Sequence, residues 1–124
     1  MGRIKGDLRE RSFQFAVAIV KLVDGFPHGT KGWTIGKQVL RSGTAVGANI
    51  FEADHSMTDA DFAHECSIAR KEASETQYWL QLCCETGLAS SDCTSTLIDE
   101  ASELTRILGA IVRTTQEYIA RKNE

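Results

Sequence analysis

The sequence predicts an all-α protein folded as an antiparallel up-down four-helix bundle. Apolar residues recur in alternating steps of three and four along four segments, and short stretches rich in glycine or polar residues separate them. The chain contains a single proline, Pro27. Its length of 124 residues and hydrophobic fraction of 42% are typical of one globular domain, here residues 1–124. We expect helices at about residues 7–24, 33–54, 58–86 and 92–121.

The first predicted helix carries two apolar stripes. It is expected to begin at Asp7, whose carboxylate would accept a hydrogen bond from the first turn while Glu10 reaches back, as in a capping box. Besides the core stripe, Phe13, Val17 and Val20 form a second stripe on almost the opposite side. A surface helix normally buries one stripe, so the second predicts either a central position or an oligomer interface. Three glycines and Pro27 in residues 25–32 end this helix.

The second predicted helix combines a core stripe with a row of small residues. Gly36, Gly43 and Gly47 lie in that row and predict that a neighbouring helix approaches closely. Asn49 places an amide side chain on the core stripe. A buried amide needs hydrogen-bond partners, and such a group often fixes helix register or oligomeric state. The core stripe comprises Ile35, Val39, Ser42, Val46, Asn49 and Ala53.

The third and fourth predicted helices have uninterrupted core seams. Thr58 is expected to cap the third helix, and the Ser90-Ser91 region the fourth. Next to the fourth seam, Ile98, Val112 and Ile119 recur at heptad or double-heptad spacing, which again suggests more apolar surface than one monomer uses. The surplus stripes of the first and fourth helices favour a homo-oligomer.

Composition excludes several functional classes. No apolar stretch is long enough to cross a membrane and the first residues lack a signal-peptide core, so we expect a cytoplasmic protein. The cysteines lack the spacing of zinc ligands and are interpreted as free thiols, so neither a metal nor a cofactor is expected. No catalytic residue is expected either, because His64 and Cys66 face different ways on one helix.

A metal-dependent bundle enzyme remains a distant alternative. A di-iron bundle needs two Glu-x-x-His pairs, and Glu52 with His55 is the only such pair in the chain. Glu72 and Glu75 have no histidine beside them. Metal bound after purification without added ions would revive this alternative.

Charge is divided unevenly along the chain. Residues 1–57 carry eight basic and five acidic side chains, whereas residues 58–124 carry six basic and twelve acidic ones. This division predicts either pairing between oppositely charged helices or a basic face that contacts nucleic acid. The net charge of −3 is unusual for a nucleic-acid-binding domain, although a ring of copies would multiply the patch. The candidate nucleic-acid-binding residues are Lys5, Arg9, Arg11, Lys37 and Arg41.

Four runs of sequence carry a resemblance to a known family. They are QVLRSGTAVGANIFEA at residues 38–53, the pair Asp61-Phe62, KEASETQYWL at 71–80 and ELTRIL at 103–108. Together they resemble the small four-helix-bundle proteins encoded by intervening sequences of bacterial large-subunit ribosomal RNA genes, over Leu8 to about Thr114. The accessory variability determinant of diversity-generating retroelements is similar.

This resemblance implies a homopentamer, with five bundles arranged as a barrel around a channel. For the retroelement branch it implies binding to nucleic acid and to a reverse transcriptase through a basic surface, from which the acidic chain departs. It supplies no catalytic residues. The motif side chains are interpreted as a polar network, with Arg41 as a further partner, that specifies assembly rather than chemistry. The network residues are Asn49, Glu52, Lys71, Glu72, Glu75 and Tyr78.

The sequence therefore predicts a non-enzymatic, oligomeric interaction protein that contacts structured RNA or DNA. The alternative is an adaptor that binds a basic protein, such as a reverse transcriptase or another polymerase, without contacting nucleic acid.

Overall fold

The computed structural model describes residues 2–124, which form four α-helices. They are α1 (Leu8–Asp24), α2 (Thr30–Asp54), α3 (Asp59–Glu85) and α4 (Ser91–Lys122). Each helix packs along the next one, and α1 also touches α4, so that the four enclose one core. The predicted all-α four-helix architecture is confirmed.

Three helices begin where the sequence predicts, directly after Asp7, Thr58 and Ser90, and one begins earlier. The Thr58 and Ser90 hydroxyls accept hydrogen bonds from the amides of Asp61 and Cys93, as their capping roles require. The expected carboxylate cap at Asp7 is absent, because that side chain makes no capping hydrogen bond. Helix α2 begins at Thr30, three residues earlier than predicted.

The early start of α2 depends on a glycine. A Cβ atom at Gly32 would lie 2.2 Å from the carbonyl oxygen of Pro27, so no larger residue fits between the turn and the helix. Gly32, predicted from the sequence to lie in the loop after α1, therefore lies in the first turn of α2.

The glycine row of α2 faces α1, as predicted. At Gly43 an added Cβ would lie 2.8 Å from both γ-carbons of Ile19, and at Gly47 it would lie 3.2 Å from the carbonyl oxygen of Ser12. At Gly47 the backbone of α2 therefore lies against the backbone of α1, and at Gly43 it lies against the Ile19 side chain. The core therefore closes on this side without large side chains from α2.

The core itself differs from the predicted stripe at one position of α2. Ile50 is fully buried, whereas Asn49 is only half-buried and donates its amide to the carbonyl of Ala45 at 2.8 Å. On α4, Val112 is buried in the core and Ile98 packs against it, so the predicted surplus stripe there is absent at these two positions. The largest fully buried aliphatic side chains are Ile19, Ile50, Leu80, Leu104 and Leu108.

Asp54 anchors the N-terminal segment to the end of α2. Its carboxylate accepts hydrogen bonds from the Ile4 amide at 2.6 Å and from the Arg9 guanidinium at 2.7 Å, and only 4% of the residue is exposed. The Arg3 amide donates to the Asp54 carbonyl at 3.1 Å. The Ile4 amide and the Arg9 guanidinium together hold the pKa of Asp54 below its usual value. One buried side chain therefore positions the residues that precede α1.

Candidate interaction surfaces

Helices α1 and α2 expose large apolar side chains on their outer face. Phe13 is 60% exposed and Phe51 52% exposed, although hydrophobic residues of this size are usually covered. Val20 and Leu40 are also exposed on these two helices. The second stripe predicted on α1 therefore does lie outside the monomer core at Phe13 and Val20. We call these four residues the α1/α2 apolar face.

A groove of about 770 Å³ runs between the two phenylalanines. Its floor consists of small residues, Ala16 from α1 and Gly47 and Ala48 from α2. The guanidinium of Arg9 lies 4.8 Å from the centre of the Phe51 ring, within cation-π distance. The groove offers apolar surface with room for side chains of another molecule.

A charged cluster joins α2 to α3. Arg41 donates hydrogen bonds to the two carboxylate oxygens of Glu72 at 3.2 and 3.3 Å and is also hydrogen-bonded to Glu75. Glu75 in turn accepts a hydrogen bond from the indole of Trp79 at 2.8 Å. The Arg41 side chain is exposed, while Glu72 and Glu75 are half-buried. The cluster holds the middle of α2 against the middle of α3.

The remaining predicted network residues lie outside this cluster. Asn49 bonds within its own helix, and Glu52 and Lys71 are exposed. Tyr78 is 58% exposed and makes an edge-to-face contact with Trp79, with ring centres 5.0 Å apart. The structure therefore brings Glu72, Glu75 and the partner Arg41 together, and places the other four apart.

Sequence reasoning missed the buried part of this contact. The hydroxyls of Ser42 and Thr76 are hydrogen-bonded at 2.9 Å in the core, directly beneath the cluster, and Thr76 also bonds the carbonyl of Glu72 at 2.7 Å. Ser42 lies on the predicted core stripe of α2, and Thr76 continues the alternating three- and four-residue spacing of the buried residues Phe62, Cys66, Ala69 and Ala73 on α3. The sequence did contain a signal for this pair, because each of two neighbouring helices carries a hydroxyl residue at a core position and buried hydroxyls need hydrogen-bond partners.

The five predicted nucleic-acid-binding residues do not form one patch. Lys5 and Lys37 are exposed and make no ion pair with any described residue. Arg9, Arg11 and Arg41 are engaged by Asp54, Glu100 and the pair Glu72–Glu75 respectively. Lys37 lies about 25 Å along α2 from Asp54, the partner of Arg9.

The residues of the metal-enzyme alternative are also dispersed. Glu72 and Glu75 are bonded to Arg41, while His55 follows the last residue of α2 and bonds the carbonyl of Phe51 at 3.0 Å. Across residues 2–124, no three histidine, cysteine or acidic side chains are placed to hold a metal ion. In the same part of the chain, no helix combines the length and apolar character needed to cross a membrane.

Comparison with known proteins identifies close matches. Residues 5–110 match the family described as 23S rRNA-intervening sequence protein. A crystal structure of a protein of unknown function from the S23 ribosomal protein family of Bacteroides thetaiotaomicron VPI-5482 is 37% identical, with a TM-score of 0.79. The match covers 85% of this chain and 97% of that one. No curated protein matches.

Proposed function

The chain belongs to the 23S rRNA-intervening sequence protein family, and from this premise we propose that it is a non-enzymatic, homo-oligomeric scaffold of the cytoplasm. The observation that carries the proposal is the α1/α2 apolar face, with Phe13 and Phe51 on either side of a groove. The number of copies, five, is the number that the resemblance described above implies.

The chemistry of this face favours protein contact. Exposed aromatic rings around a groove lined by small residues are typical of interface cores, where a neighbour's side chains fill the groove and exclude water. Water-exposed apolar groups of this size carry a free-energy cost that burial against another copy removes. We therefore assign the α1/α2 apolar face to contact between copies.

The test is the mass of the assembly in solution. Wild type, the double variant Phe13→Glu/Phe51→Glu and the control Tyr78→Glu are compared by light scattering after gel filtration and by native mass spectrometry. All three substitutions replace exposed aromatic residues, so the helices are expected to form in each variant. We expect a pentamer for wild type and Tyr78→Glu, and smaller species for the double variant.

Three results would contradict the proposal in different ways. A monomeric wild type at micromolar concentration would remove self-association altogether. A double variant with the wild-type mass would show that the copies meet elsewhere, and a disrupted Tyr78→Glu would place the contact on α3.

A second function, binding of structured RNA or DNA, is favoured by Lys5 and Lys37, the predicted candidates among six exposed lysines that form no ion pair within the described residues. Five copies would present ten charges from these two positions. Fluorescence anisotropy with labelled structured RNA and duplex DNA at about 50 and 200 mM salt tests this, because phosphate contacts weaken steeply with salt. We expect Lys5→Ala/Lys37→Ala to weaken binding and Lys21→Ala/Lys71→Ala to leave it near wild type.

Absence of binding at low salt would leave the adaptor as the working function. In that form the assembly recruits a basic protein partner, such as a reverse transcriptase or another polymerase, without touching nucleic acid. The excess of acidic side chains in residues 58–124 supports this form.

A further inference from the structure

The contact between α1 and α4 is much smaller than the other three contacts between neighbouring helices. The bundle is therefore packed closely on three sides and open along the fourth. A groove of about 640 Å³ follows this open side. One wall is formed by residues 7–18, which are the first part of α1 and the residue before it, and the other wall by residues 96–103 of α4. The groove spans about 16 Å along the helix axis, or three helical turns.

The floor of the groove is apolar. Phe15 and Ala18 line it from α1, and Leu97 lines it from α4. Phe15 is buried, while Ala18 and Leu97 remain half-exposed. A partner that covers this floor would remove the exposed parts of these side chains from water.

The rim of the groove is strongly acidic. Arg11 is its one cation, and Glu100 accepts two hydrogen bonds from it, at 2.6 and 3.1 Å. Glu103 is paired with Arg106 on its own helix at 2.8 Å. The carboxylates that line the groove are Asp7, Glu10, Asp99, Glu100 and Glu103.

Three of these five carboxylates have no cationic partner among residues 2–124. They are Asp7, Glu10 and Asp99, all exposed, and Glu10 accepts only a hydrogen bond from Gln14 at 3.0 Å. The unpaired charges come from both walls, with Asp7 and Glu10 on one side and Asp99 on the other. A cationic ligand lying in the groove would meet negative charge on both flanks.

We propose that this groove binds an amphipathic helix rich in lysine and arginine, contributed by a protein partner. An apolar stripe on the partner fits the floor of Phe15, Ala18 and Leu97, and basic residues beside that stripe fit the two acidic walls. The three-turn length accommodates about 11 residues of such a helix. The bound helix would complete the open side of the bundle as a fifth helix.

This inference rests on the adaptor form of the proposed function, and it does not depend on self-association. The groove lies between α1 and α4, whereas the α1/α2 apolar face lies between α1 and α2. Asp7 and Glu10 border both grooves, and every other groove residue named here borders only one. Each copy in an assembly would therefore keep the apolar floor and the α4 wall of its own acidic groove, while Asp7 and Glu10 would lie at the edge of the contact between copies.

The test is titration of the protein into a fluorescein-labelled 18-residue leucine–lysine amphipathic peptide, followed by anisotropy. A leucine–glutamate peptide with the same apolar stripe is the matched probe. The groove variant is Glu10→Gln/Asp99→Asn, which removes two exposed charges. The matched control is Glu85→Gln/Glu117→Gln, which removes two exposed charges elsewhere. The mass of each variant is measured in parallel.

We expect saturable binding of the lysine peptide, with Kd raised about 2- to 30-fold in the groove variant and unchanged in the control. The lysine peptide should also bind more weakly at higher salt, and the glutamate peptide should not bind. A second variant, Ala18→Arg, places a bulky cation on the floor and should abolish binding while helicity and mass stay as in wild type.

Three results would overturn the proposal. They are equal binding of both peptides, equal loss of affinity in the groove and control variants, and no saturation up to roughly 1 mM protein. A changed mass in Ala18→Arg would also overturn it, because Ala18 borders only the acidic groove, which would then be a contact between copies. A monomeric wild type that still binds the lysine peptide through the groove would remove self-association and leave this inference standing.

Discussion

Replacing Gly43 by alanine tests how closely α1 approaches α2. Two effects of opposite sign are expected. Alanine is favoured over glycine in a helix interior by about 1 kcal/mol, which stabilises the variant. Against this, the new Cβ would lie 2.8 Å from both γ-carbons of the fully buried Ile19, closer than unbonded carbon atoms normally approach.

The magnitude follows from which neighbour has to move. Ile19 is branched at Cβ and enclosed by the core, so relief of the contact requires α1 to shift or Ile19 to leave its rotamer. Overpacking of this kind costs roughly 1–3 kcal/mol. The net expectation for Gly43→Ala is therefore between no change and about 2 kcal/mol of destabilisation.

Gly109→Ala is the matched control. Gly109 also lies inside a long helix, but its added Cβ would meet only Cδ of Arg70, at 3.4 Å, and this exposed side chain can move. The control should be stabilised by about 1 kcal/mol, so the difference between the two variants isolates the overpacking cost.

Urea unfolding followed by circular dichroism at 222 nm measures both variants, at equal protein concentration because assembly contributes to stability. A difference of about 1–3 kcal/mol in unfolding free energy between the variants is expected. If the two substitutions stabilise the protein equally, the close contact at Gly43 is refuted.

Two further predictions concern buried polar groups. Asp54→Asn should destabilise the fold by about 1–3 kcal/mol at pH 7 by urea unfolding, because it replaces a buried carboxylate that accepts a charged and a backbone donor. Since the pKa of Asp54 is lowered by folding, its ionisation stabilises the protein above pH 4 or so, and this contribution is lost as pH falls further. Wild type should therefore lose more stability than Asp54→Asn between about pH 6 and 3, and equal losses would contradict this. Burial raises the pKa of the Cys66 and Cys83 thiols to about 11, so Ellman's reagent at pH 8 should label exposed Cys93 first and these two only after unfolding. Equal labelling rates in the native protein would show that the core opens readily.

Local sequence signals predicted the helices better than their contacts. Thr58 and Ser90 are recognisable as caps because the capping hydrogen bond joins residues three apart in sequence. Local signals did not show which of Asn49 and Ile50 is the core residue. Helix α2 packs against both α1 and α3, so two adjacent stripes are buried and a periodic pattern does not rank them.

Ion-pair partners show the same limit more strongly. The carboxylates that hold Arg41 lie 31 and 34 residues away in sequence, and the donors to Asp54 lie 45 and 50 residues away. Composition shows that the second half of the chain is rich in acidic residues, but it does not show which of them pairs with a given arginine. The pairing of Arg9, Arg11 and Arg41 with carboxylates is therefore a tertiary result that charge counting did not predict.

The contact between Gly43 and Ile19 allows the tertiary contribution to be measured at one position. Ile19→Ala alone removes both obstructing γ-carbons and should cost about 2–5 kcal/mol, because it leaves a cavity in the core. In that background Gly43→Ala meets only the remaining Cβ of residue 19, at 3.2 Å, and the new cavity gives that contact room to relax. The added methyl group partly fills the cavity, and the helix preference of about 1 kcal/mol remains. Gly43→Ala should therefore stabilise the protein when residue 19 is alanine, although it does not when residue 19 is isoleucine. A double-mutant cycle by urea unfolding should give a coupling of about 1–3 kcal/mol. If Gly43→Ala has the same effect in both backgrounds, the glycine at position 43 is not required by Ile19, and the close approach of α1 to α2 needs another cause.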